Sequence, residues 1–388
     1  MKHIKLVYIT RGFPPYLGGS ENYTWEIYKR ISKINDIELI TYYNKEREKS
    51  KSIHGIRRLK NGNKFLEFLN FLFGTLRQSL FLEFDAIHAV TYPSGLAAIL
   101  PKLVSGKPLV VTIHDIGVIE KDVTTVSPLV KSLKGFLQGA VCNFADLIIV
   151  PSEKVRNDIM KYHGISKSKI FITPYGVDTN TFNTGVKRGV MRSKWGLKEE
   201  PVVLYVGMYS PKKGLEYLIE AISDVRRQIP DIMLVIAGPA LDANYEKKIK
   251  NLVVERDLEK SVIFTGYFDE KYKPNVYMDA DIVIEPTHYG MGYSFACIEA
   301  GALGKPVIAT KLLEEIGVIK NNVSGVVVPL RDSKSIAEAI IKLLKNKKFY
   351  ARLSKLGTSF VKSFNWNETA RLTESVYKKL IGWEEGDE

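Results

Sequence analysis

The chain has 388 residues, 45% of them hydrophobic and 26% charged, which is the composition of a folded protein of two or three domains and excludes fibrous and disordered classes. Its two cysteines, Cys142 and Cys297, are far apart in sequence, which excludes a disulfide framework or a cysteine zinc site and favours a reducing compartment. The net charge of +13 lies mainly in residues 1–183, with 25 Lys and Arg against 16 Asp and Glu, but no nucleic-acid-binding motif accompanies it, so no nucleic acid partner is expected.

Short apolar runs alternate with segments of helical periodicity along the chain, which predicts an α/β protein with parallel sheets covered by helices on both faces. The strands predicted in the first half are Ile4–Thr10, Ile37–Tyr43, Ala86–Val90, Leu109–His114, Leu147–Val150 and Lys169–Pro174. Those predicted in the second half are Val202–Gly207, Met233–Gly238, Val262–Gly266, Asp281–Glu285, Val307–Thr310 and Gly325–Pro329. The first apolar run is too short for a secretory core or a membrane span, so we expect a cytoplasmic protein.

Between the two sets of strands, residues 183–201 contain three glycines and no sustained strand pattern, which indicates an inter-domain connection. We therefore predict an acceptor-side domain at 1–183, a donor domain at 184–365 and a terminal helix within 366–388. Ligands of open α/β domains bind beyond the carboxyl ends of the strands, so the cleft between the domains is the expected site.

The loop after the first strand contains Gly18 and Gly19 and leads into a helix that begins near Ser20 and Glu21. Glycines allow close backbone approach, and the amides of a helix start favour an anion, so a diphosphate could bind here. A plain turn is the alternative, since the loop matches neither the dinucleotide fingerprint nor a P-loop.

A long apolar segment, residues 65–84, follows the basic residues Arg57, Arg58, Lys60 and Lys64. This pattern suits a helix on an anionic membrane surface, which would place the protein peripherally on the inner face of the membrane. A helix pair buried in the first domain is the alternative, which we favour somewhat because apolar residues occur nearly all round the segment.

In the second half, Gly207 ends a strand, and Lys212 and Lys213 precede the next helix. Cations oppose the dipole at a helix start, which indicates that an anion such as a phosphate balances them. A solvated surface pair is the alternative.

The strand over residues 281–285 leads through a glycine-bearing loop to a helix of small residues with one carboxylate, Glu299. A carboxylate in such a helix must be paired or must accept hydrogen bonds, and ribose hydroxyls would serve. Tyr267, after another strand, could stack on a nucleobase, although packing is the commoner use of such an aromatic. Asp279-Ala280-Asp281 could hold Mg²⁺, but capping and solvent exposure are favoured, so no metal is expected.

These residues together resemble the retaining glycosyltransferases of family 4, which have the GT-B architecture of two facing Rossmann-like domains. The resemblance spans nearly the whole chain and rests on the following segments: Phe13-Pro14-Pro15 to Gly18-Gly19, Thr112-Ile113-His114, Pro174 to Asp178, Gly207 with Lys213-Gly214, and Glu299-Ala300 with Gly304 to Ile308. It implies that Lys213 holds the donor diphosphate, that Glu299 binds the nucleotide ribose and that His114 lies beside the donor sugar.

The chain departs from the family pattern at three places. The first glutamate of the family's pair is Met291, the arginine after the glycine is Met208, and the usual asparagine before Gly176 is Tyr175. The backbone amides from Gly292 through Tyr293 and Ser294 to Phe295 could then contact the sugar and phosphate in place of the missing carboxylate.

The resemblance implies transfer of a sugar from a nucleotide-diphosphate sugar to a glycan or lipid-linked acceptor, with retention, no covalent enzyme intermediate and no cofactor. Two alternatives stay open: a catalytically weak subunit that only binds sugar nucleotides, suggested by Met208 and Met291, and an epimerase on the same two-domain plan. The epimerase would need a base at the sugar ring, for which the sequence offers only His114.

Overall fold

The structure, a computed structural model, describes residues 3–13, 18–42, 56–59, 64–116, 127–289 and 293–383. It divides into two compact units, the first comprising Met1–Tyr175 and Trp366–Glu388 and the second Gly176–Asn365. The Val177 amide donates to the Phe364 carbonyl, and Phe182 packs in the core of the second unit. Residues 176–183 therefore belong to the second unit, whereas the sequence placed them in the first domain.

The first unit contains a parallel sheet of seven strands in the order β3-β2-β1-β4-β5-β6-β7. The strands are β1 Lys5–Thr10, β2 Asp36–Tyr42, β3 Ile56–Leu59, β4 Ala86–Val90, β5 Leu109–Thr112, β6 Leu147–Val150 and β7 Ile170–Ile172. Strand β3 was not predicted, because its sequence Ile-Arg-Arg-Leu has no apolar run. It is an edge strand, where charged residues are usual because they discourage pairing with other chains.

Six helices among the described residues of this unit cover the sheet. They are α1 Gly19–Ile31, α2 Lys64–Ser79, α3 Tyr92–Ser105, α4 Pro128–Phe144, α5 Glu153–His163 and α14 Trp366–Leu380. Strands are added in opposite directions on either side of β1, and right-handed crossovers therefore place α1 on one face of the sheet and α3 and α4 on the other. Helix α14 packs against α1, while α2 packs against α3 and α3 against α4. None of the described helices is long and apolar enough to cross a membrane.

The second unit has a parallel sheet of six strands in the order β10-β9-β8-β11-β12-β13. The strands are β8 Val202–Val206, β9 Met233–Ala237, β10 Val262–Gly266, β11 Ile282–Glu285, β12 Val307–Thr310 and β13 Gly325–Val328. Its helices are α6 Val190–Trp195, α7 Leu215–Arg226, α8 Ala243–Glu255, α9 Lys273–Met278, α10 Phe295–Ala302, α11 Lys311–Ile316, α12 Ser333–Lys345 and α13 Lys347–Phe360. Both sheets are doubly wound, which confirms the predicted α/β class.

Alternate residues of β8 enter two separate cores. Val202 and Leu204 belong to the apolar cluster on one face of the sheet, and Val203 and Tyr205 to the cluster on the other. A strand buried on both faces must be apolar at every position, which explains why a continuous run rather than an alternating pattern identified it. The strand order reverses between β8 and β11, and such a reversal leaves a crevice at the carboxyl ends of these two strands.

In the first unit, the C-terminal helix α14 is attached through a buried histidine. His88 of β4 forms a hydrogen bond through Nδ1 with the Tyr377 hydroxyl (2.6 Å) and through Nε2 with Thr112 Oγ1 (2.8 Å). Burial lowers the pKa of His88 to about 3, so the ring is neutral at pH 7. His88 is thus a structural histidine whose two ring nitrogens both have hydrogen-bond partners.

The buried His88 predicts a loss of stability in acid. In the unfolded chain the ring has an ordinary pKa near 6.5 and binds a proton below that pH. The folded chain binds this proton only when the pH falls to about 3. We expect this group alone to lower the free energy of unfolding by about 2 kcal/mol between pH 7 and pH 5. Thermal unfolding of the parent and of His88→Gln at both values measures it; an equal drop in the two proteins would contradict the assignment.

Candidate functional site

The reversal point of the second sheet brings a lysine and a buried glutamate together. Gly207 follows β8, and after it Pro211–Lys213 forms a short 3-10 turn that ends at Gly214. Gly214 has a φ of +66°, and a Cβ there would lie 2.5 Å from the Pro286 carbonyl oxygen. Only glycine therefore lets this turn approach the loop after β11 so closely. As a result, Lys213 Nζ lies 3.5 Å from Glu285 Oε1 at the end of β11.

Glu285 belongs to this candidate site and was not identified by the sequence analysis. Its side chain is 3% exposed, it accepts a hydrogen bond from Thr287 Oγ1, and its second carboxylate oxygen accepts one from Ser294 Oγ (3.3 Å). The lysines before α7 were predicted to require an anion, and the fold supplies this internal one. The available signal was a carboxylate ending the otherwise apolar strand Ile-Val-Ile-Glu.

The start of α10 lies beside this pair. Ser294 stands at the N-cap of α10, yet its side chain does not cap the helix amides, because its hydroxyl donates to Glu285 instead. The first-turn amides of α10 thus lack the cap side chain that usually satisfies them. An anion at this helix start would accept hydrogen bonds from amides for which the Ser294 side chain is not an acceptor.

Glu299 is held within the second unit by two residues of α9. Its carboxylate accepts a hydrogen bond from Lys273 Nζ (2.9 Å) and one from the Tyr277 hydroxyl (2.7 Å), and its side chain is 5% exposed. Burial disfavours the charged form of Lys273, but the carboxylates of Glu299 and Glu270 outweigh it and raise the pKa of Lys273. Burial, and next to it Glu299, raises the pKa of Tyr277 well above its ordinary value.

The sequence correctly required partners for the Glu299 carboxylate but did not identify them as Lys273 and Tyr277. These two residues precede Glu299 by more than 20 positions and carry no motif of their own. Each carboxylate oxygen can accept two hydrogen bonds, so a ribose hydroxyl could still bind beside them.

Other predicted donor-site residues are placed differently. Tyr267 is 64% exposed after β10, which β9 separates from β8, and its stacking on a nucleobase stays a prediction. The half-buried rings of Tyr293 and Phe295 contact each other, with centroids 5.8 Å apart. Met208 is 39% exposed, and its carbonyl accepts a hydrogen bond from Tyr205. Met291 and Gly292 lie outside the described residues.

The aspartates of Asp279-Ala280-Asp281 are used in structure. The Asp279 carboxylate is fully buried and accepts hydrogen bonds from the amides of Gly189, Met191 and Arg192 at the start of α6, while Asp281 pairs with Arg188 and Arg192. The capping interpretation therefore fits, but the expected solvent exposure of Asp279 was wrong. Over the described ranges, no group of three or more His, Cys, Asp or Glu side chains could hold a metal ion.

In the first unit, a carboxylate already lies at the glycine pair. The Glu21 side chain occupies the space where a Cβ of Gly12 or Gly18 would lie, and Ser20 Oγ donates to its Oε2 (2.9 Å). The glycines thus make room for Glu21, which satisfies the preference of the α1 N-terminus for negative charge. A diphosphate at Gly18 would meet this carboxylate, so the predicted anion site at Gly18 and Gly19 stays a prediction that requires the Glu21 side chain to move.

His114, just after β5, lies in an aromatic cluster. Its Nδ1 forms a hydrogen bond with the Tyr175 hydroxyl, and the Tyr23 ring centroid lies 5.2 Å from its own. Its buried Nε2 has no hydrogen-bond partner among the described residues. Burial lowers the pKa of His114 to about 4, so the imidazole is neutral at pH 7 and suits hydrogen bonding better than charge stabilisation.

Comparisons with known proteins agree with this fold. The family described as "Glycosyltransferase Family 4" matches residues 17–181, and "Glycosyl transferases group 1" matches residues 187–360. Similar proteins include an alpha-D-kanosaminyltransferase of Streptomyces kanamyceticus, 26% identical over 69% of this chain and 70% of that protein. A D-inositol 3-phosphate glycosyltransferase of Mycobacteroides abscessus is 27% identical over 80% of this chain and 70% of its own.

Solved structures with a similar fold include two full-length matches. HepE of Anabaena, in complex with UDP and glucose, has a TM-score of 0.81 at 18% identity and covers 97% of this chain and 100% of its own. Sucrose-phosphate synthase of Thermosynechococcus elongatus has a TM-score of 0.83 at 23% identity and covers 98% of this chain and 100% of its own. At these identities the likeness establishes the fold, and the predicted GT-B fold is confirmed.

Proposed function

Because this chain belongs to glycosyltransferase family 4, we propose that it moves a sugar, with retention, from a nucleoside-diphosphate sugar to a glycan or lipid-linked acceptor. The observation that carries this proposal is the position of Lys213 at the strand-order reversal, beside Glu285 and the start of α10. The structure of HepE with UDP and glucose supports a nucleotide-sugar donor.

In this proposal, Lys213 and the first-turn amides of α10 bind the donor diphosphate, with Lys212 adding positive charge nearby. Such groups are most useful to catalysis when they are fixed before the reaction, because no energy is then spent on turning dipoles toward the charge that develops. Two residues fix Lys213. Glu285 contacts its ammonium group, and Gly214 allows the close approach of the turn that carries it. The diphosphate would take over the ammonium group that Glu285 contacts in the free protein.

In the proposed reaction, the bond between the anomeric carbon and the diphosphate oxygen breaks, and the acceptor oxygen bonds to that carbon on the same face. The acceptor proton passes to the departing phosphate, so no covalent intermediate with the protein forms. The protein contributes charge stabilisation through Lys213 and positioning through Glu299.

Glu299 predicts a preference for ribonucleotides. If its carboxylate accepts a hydrogen bond from the donor ribose, the parent protein binds a nucleoside diphosphate about tenfold more tightly than its deoxyribose analogue. In Glu299→Gln this ratio is expected to fall towards one, because a neutral amide accepts such a bond more weakly. Calorimetric titration with both nucleotides measures the ratio, which a change in overall stability does not mimic.

Glu338→Gln, on the exposed face of α12 in the same unit, is the matched control and should keep the parent's ratio. Equal binding of the two nucleotides by the parent protein would remove the ribose role from Glu299.

The proposed reaction itself is tested by incubating the protein with uridine, guanosine and adenosine diphosphate sugars. A selective donor raises the unfolding temperature by mass action. With a suitable acceptor, the nucleoside diphosphate is released and the product has the donor's anomeric configuration, which nuclear magnetic resonance reads directly. Binding without release for every acceptor would support a sugar-nucleotide-binding subunit instead.

A further inference from the structure

Large apolar side chains are exposed on one helical layer of the first unit. On α4, Leu129 is 80% exposed and Phe136 is 72% exposed, and Val130 and Leu133 are exposed as well. Neighbouring exposed residues on or just after α2 and α3 are Phe73, Leu80, Phe81, Leu100, Leu103 and Val104. We call these ten residues the outer apolar face. Scattered exposed apolar residues are normal, but so many on three adjacent helices indicate an interaction surface.

The opposite face of the same sheet provides an internal comparison. Helices α1 and α14 contribute none of the large apolar side chains that are exposed in the described part of the chain. Both layers cover the same sheet, so a general excess of surface hydrophobicity in this unit does not explain the difference.

The first half of α4 is amphipathic and largely exposed to solvent. All but one of the residues 127–134 are exposed, whereas Gln138, Val141 and Cys142 in the second half are buried. At about 100° per residue, Leu129, Val130, Leu133 and Phe136 fall within an arc of about 120°. This arc lies roughly opposite the buried positions, so the apolar side points to solvent.

Charge favours one occupant for this surface. Helices α2, α3 and α4 together contain five basic residues, Lys64, Arg77, Lys102, Lys131 and Lys134, and one acidic residue, Glu67. Lys102 pairs with Asp146, but α4 has no acidic residue along its whole length. Apolar side chains interspersed with lysines and almost free of carboxylates match the negative headgroups and the acyl region of an anionic bilayer.

We propose that the outer apolar face, with the first half of α4 as its main contact, binds the protein peripherally to an anionic lipid membrane. The first half of α4 follows the carboxyl end of β5, as does His114, so this main contact lies at the same end of the sheet as that residue. The inference deepens the lipid-linked acceptor of the proposed function and in that respect rests on it. The sequence analysis gave a membrane helix at residues 65–84 as the less favoured alternative; the present proposal places the main contact on α4.

The experiment is co-sedimentation of the full chain with vesicles of phosphatidylglycerol and phosphatidylcholine, compared with phosphatidylcholine alone. We expect binding to the anionic vesicles that weakens with added salt. The double variant Leu133→Ser/Phe136→Ser should lose at least about tenfold in vesicle affinity, because each substitution removes apolar area that the parent would bury in the lipid. Lys131→Gln/Lys134→Gln should weaken binding and reduce its salt dependence.

Val254→Ser, which changes an exposed apolar residue of α8 in the other unit, should bind like the parent. The unfolding temperatures of all variants are measured to detect misfolding. They should match that of the parent, because the substituted side chains lie at the surface. Failure of the parent to bind anionic vesicles at low salt, or equal binding by the α4 variants, overturns the proposal. So does self-association of the parent that the α4 variants abolish, because a second copy would then cover this surface.

Vesicle binding is measured without nucleotide, and donor binding without vesicles. A protein that binds uridine or guanosine diphosphate but not vesicles would therefore leave the donor part of the proposed function intact.

Discussion

Replacing Lys213 by alanine is expected to lower sugar transfer by about 10²–10³-fold and to weaken nucleoside-diphosphate binding. The reason is that Lys213 lies 3.5 Å from Glu285 at the sheet reversal and, in the proposed reaction, supplies positive charge where the leaving diphosphate develops negative charge. Initial rates and calorimetric titration of Lys213→Ala measure the two effects. Lys247→Ala, an exposed lysine on α8 of the same unit, is the matched control and should behave as the parent.

Glu285→Gln adds a change of opposite sign to the same test. The amide can keep the hydrogen bond from Thr287, but it removes a negative charge that lies 3.5 Å from the Lys213 ammonium group and repels a diphosphate. Nucleoside diphosphate is therefore expected to bind more tightly to Glu285→Gln than to the parent, while Lys213→Ala binds it more weakly. If both variants leave nucleotide affinity unchanged, the diphosphate does not bind at Lys213.

Replacing Asp279 by alanine is expected to destabilise the second unit by about 3 kcal/mol, which lowers its unfolding temperature by roughly 6–12 °C. This fully buried carboxylate accepts hydrogen bonds from the backbone amides of Met191 (2.5 Å), Arg192 (3.1 Å) and Gly189. Without it, the buried amides of Met191 and Arg192 at the start of α6 are left unsatisfied, whereas the exposed amide of Gly189 can bind water. Scanning calorimetry, which separates transitions of different units, measures the effect.

Asp242→Ala provides the matched control for Asp279. Asp242 also accepts a helix amide, that of Tyr245 at the start of α8, but it is exposed, so water can replace it. Its loss should cost about 1 kcal/mol. Equal shifts in the two variants would show that burial of Asp279 adds nothing to its cap.

The sequence predicted the strands of both sheets well, apart from β3, because parallel strands buried on two faces are apolar at every position. The pattern of β11 shows this: Ile282–Glu285 was recognised from its apolar residues, and its last residue was left without a role. Strand β3 was missed for the converse reason, since an edge strand does not need to be apolar.

Candidate residues were predicted best where a local feature identifies them. Lys213 stands between a strand and a helix, and Glu299 is a lone carboxylate among small residues. Tyr267 stays a prediction, because its place relative to Lys213 depends on the strand order of the sheet. The sequence did not reveal that the Glu21 side chain occupies the space at Gly12 and Gly18.

By itself, the sequence determined the α/β class, the elements that alternate along the chain, and the lysine and glutamate on which the proposed chemistry rests, because these follow from local periodicity and residue type. Only the tertiary structure decided which groups these residues contact. Glu285 lies 72 positions from Lys213, and Tyr377 lies 289 positions from His88. Such pairs form because strand order and crossover direction bring distant strand ends and helices together, and neither quantity is encoded in any short stretch of sequence.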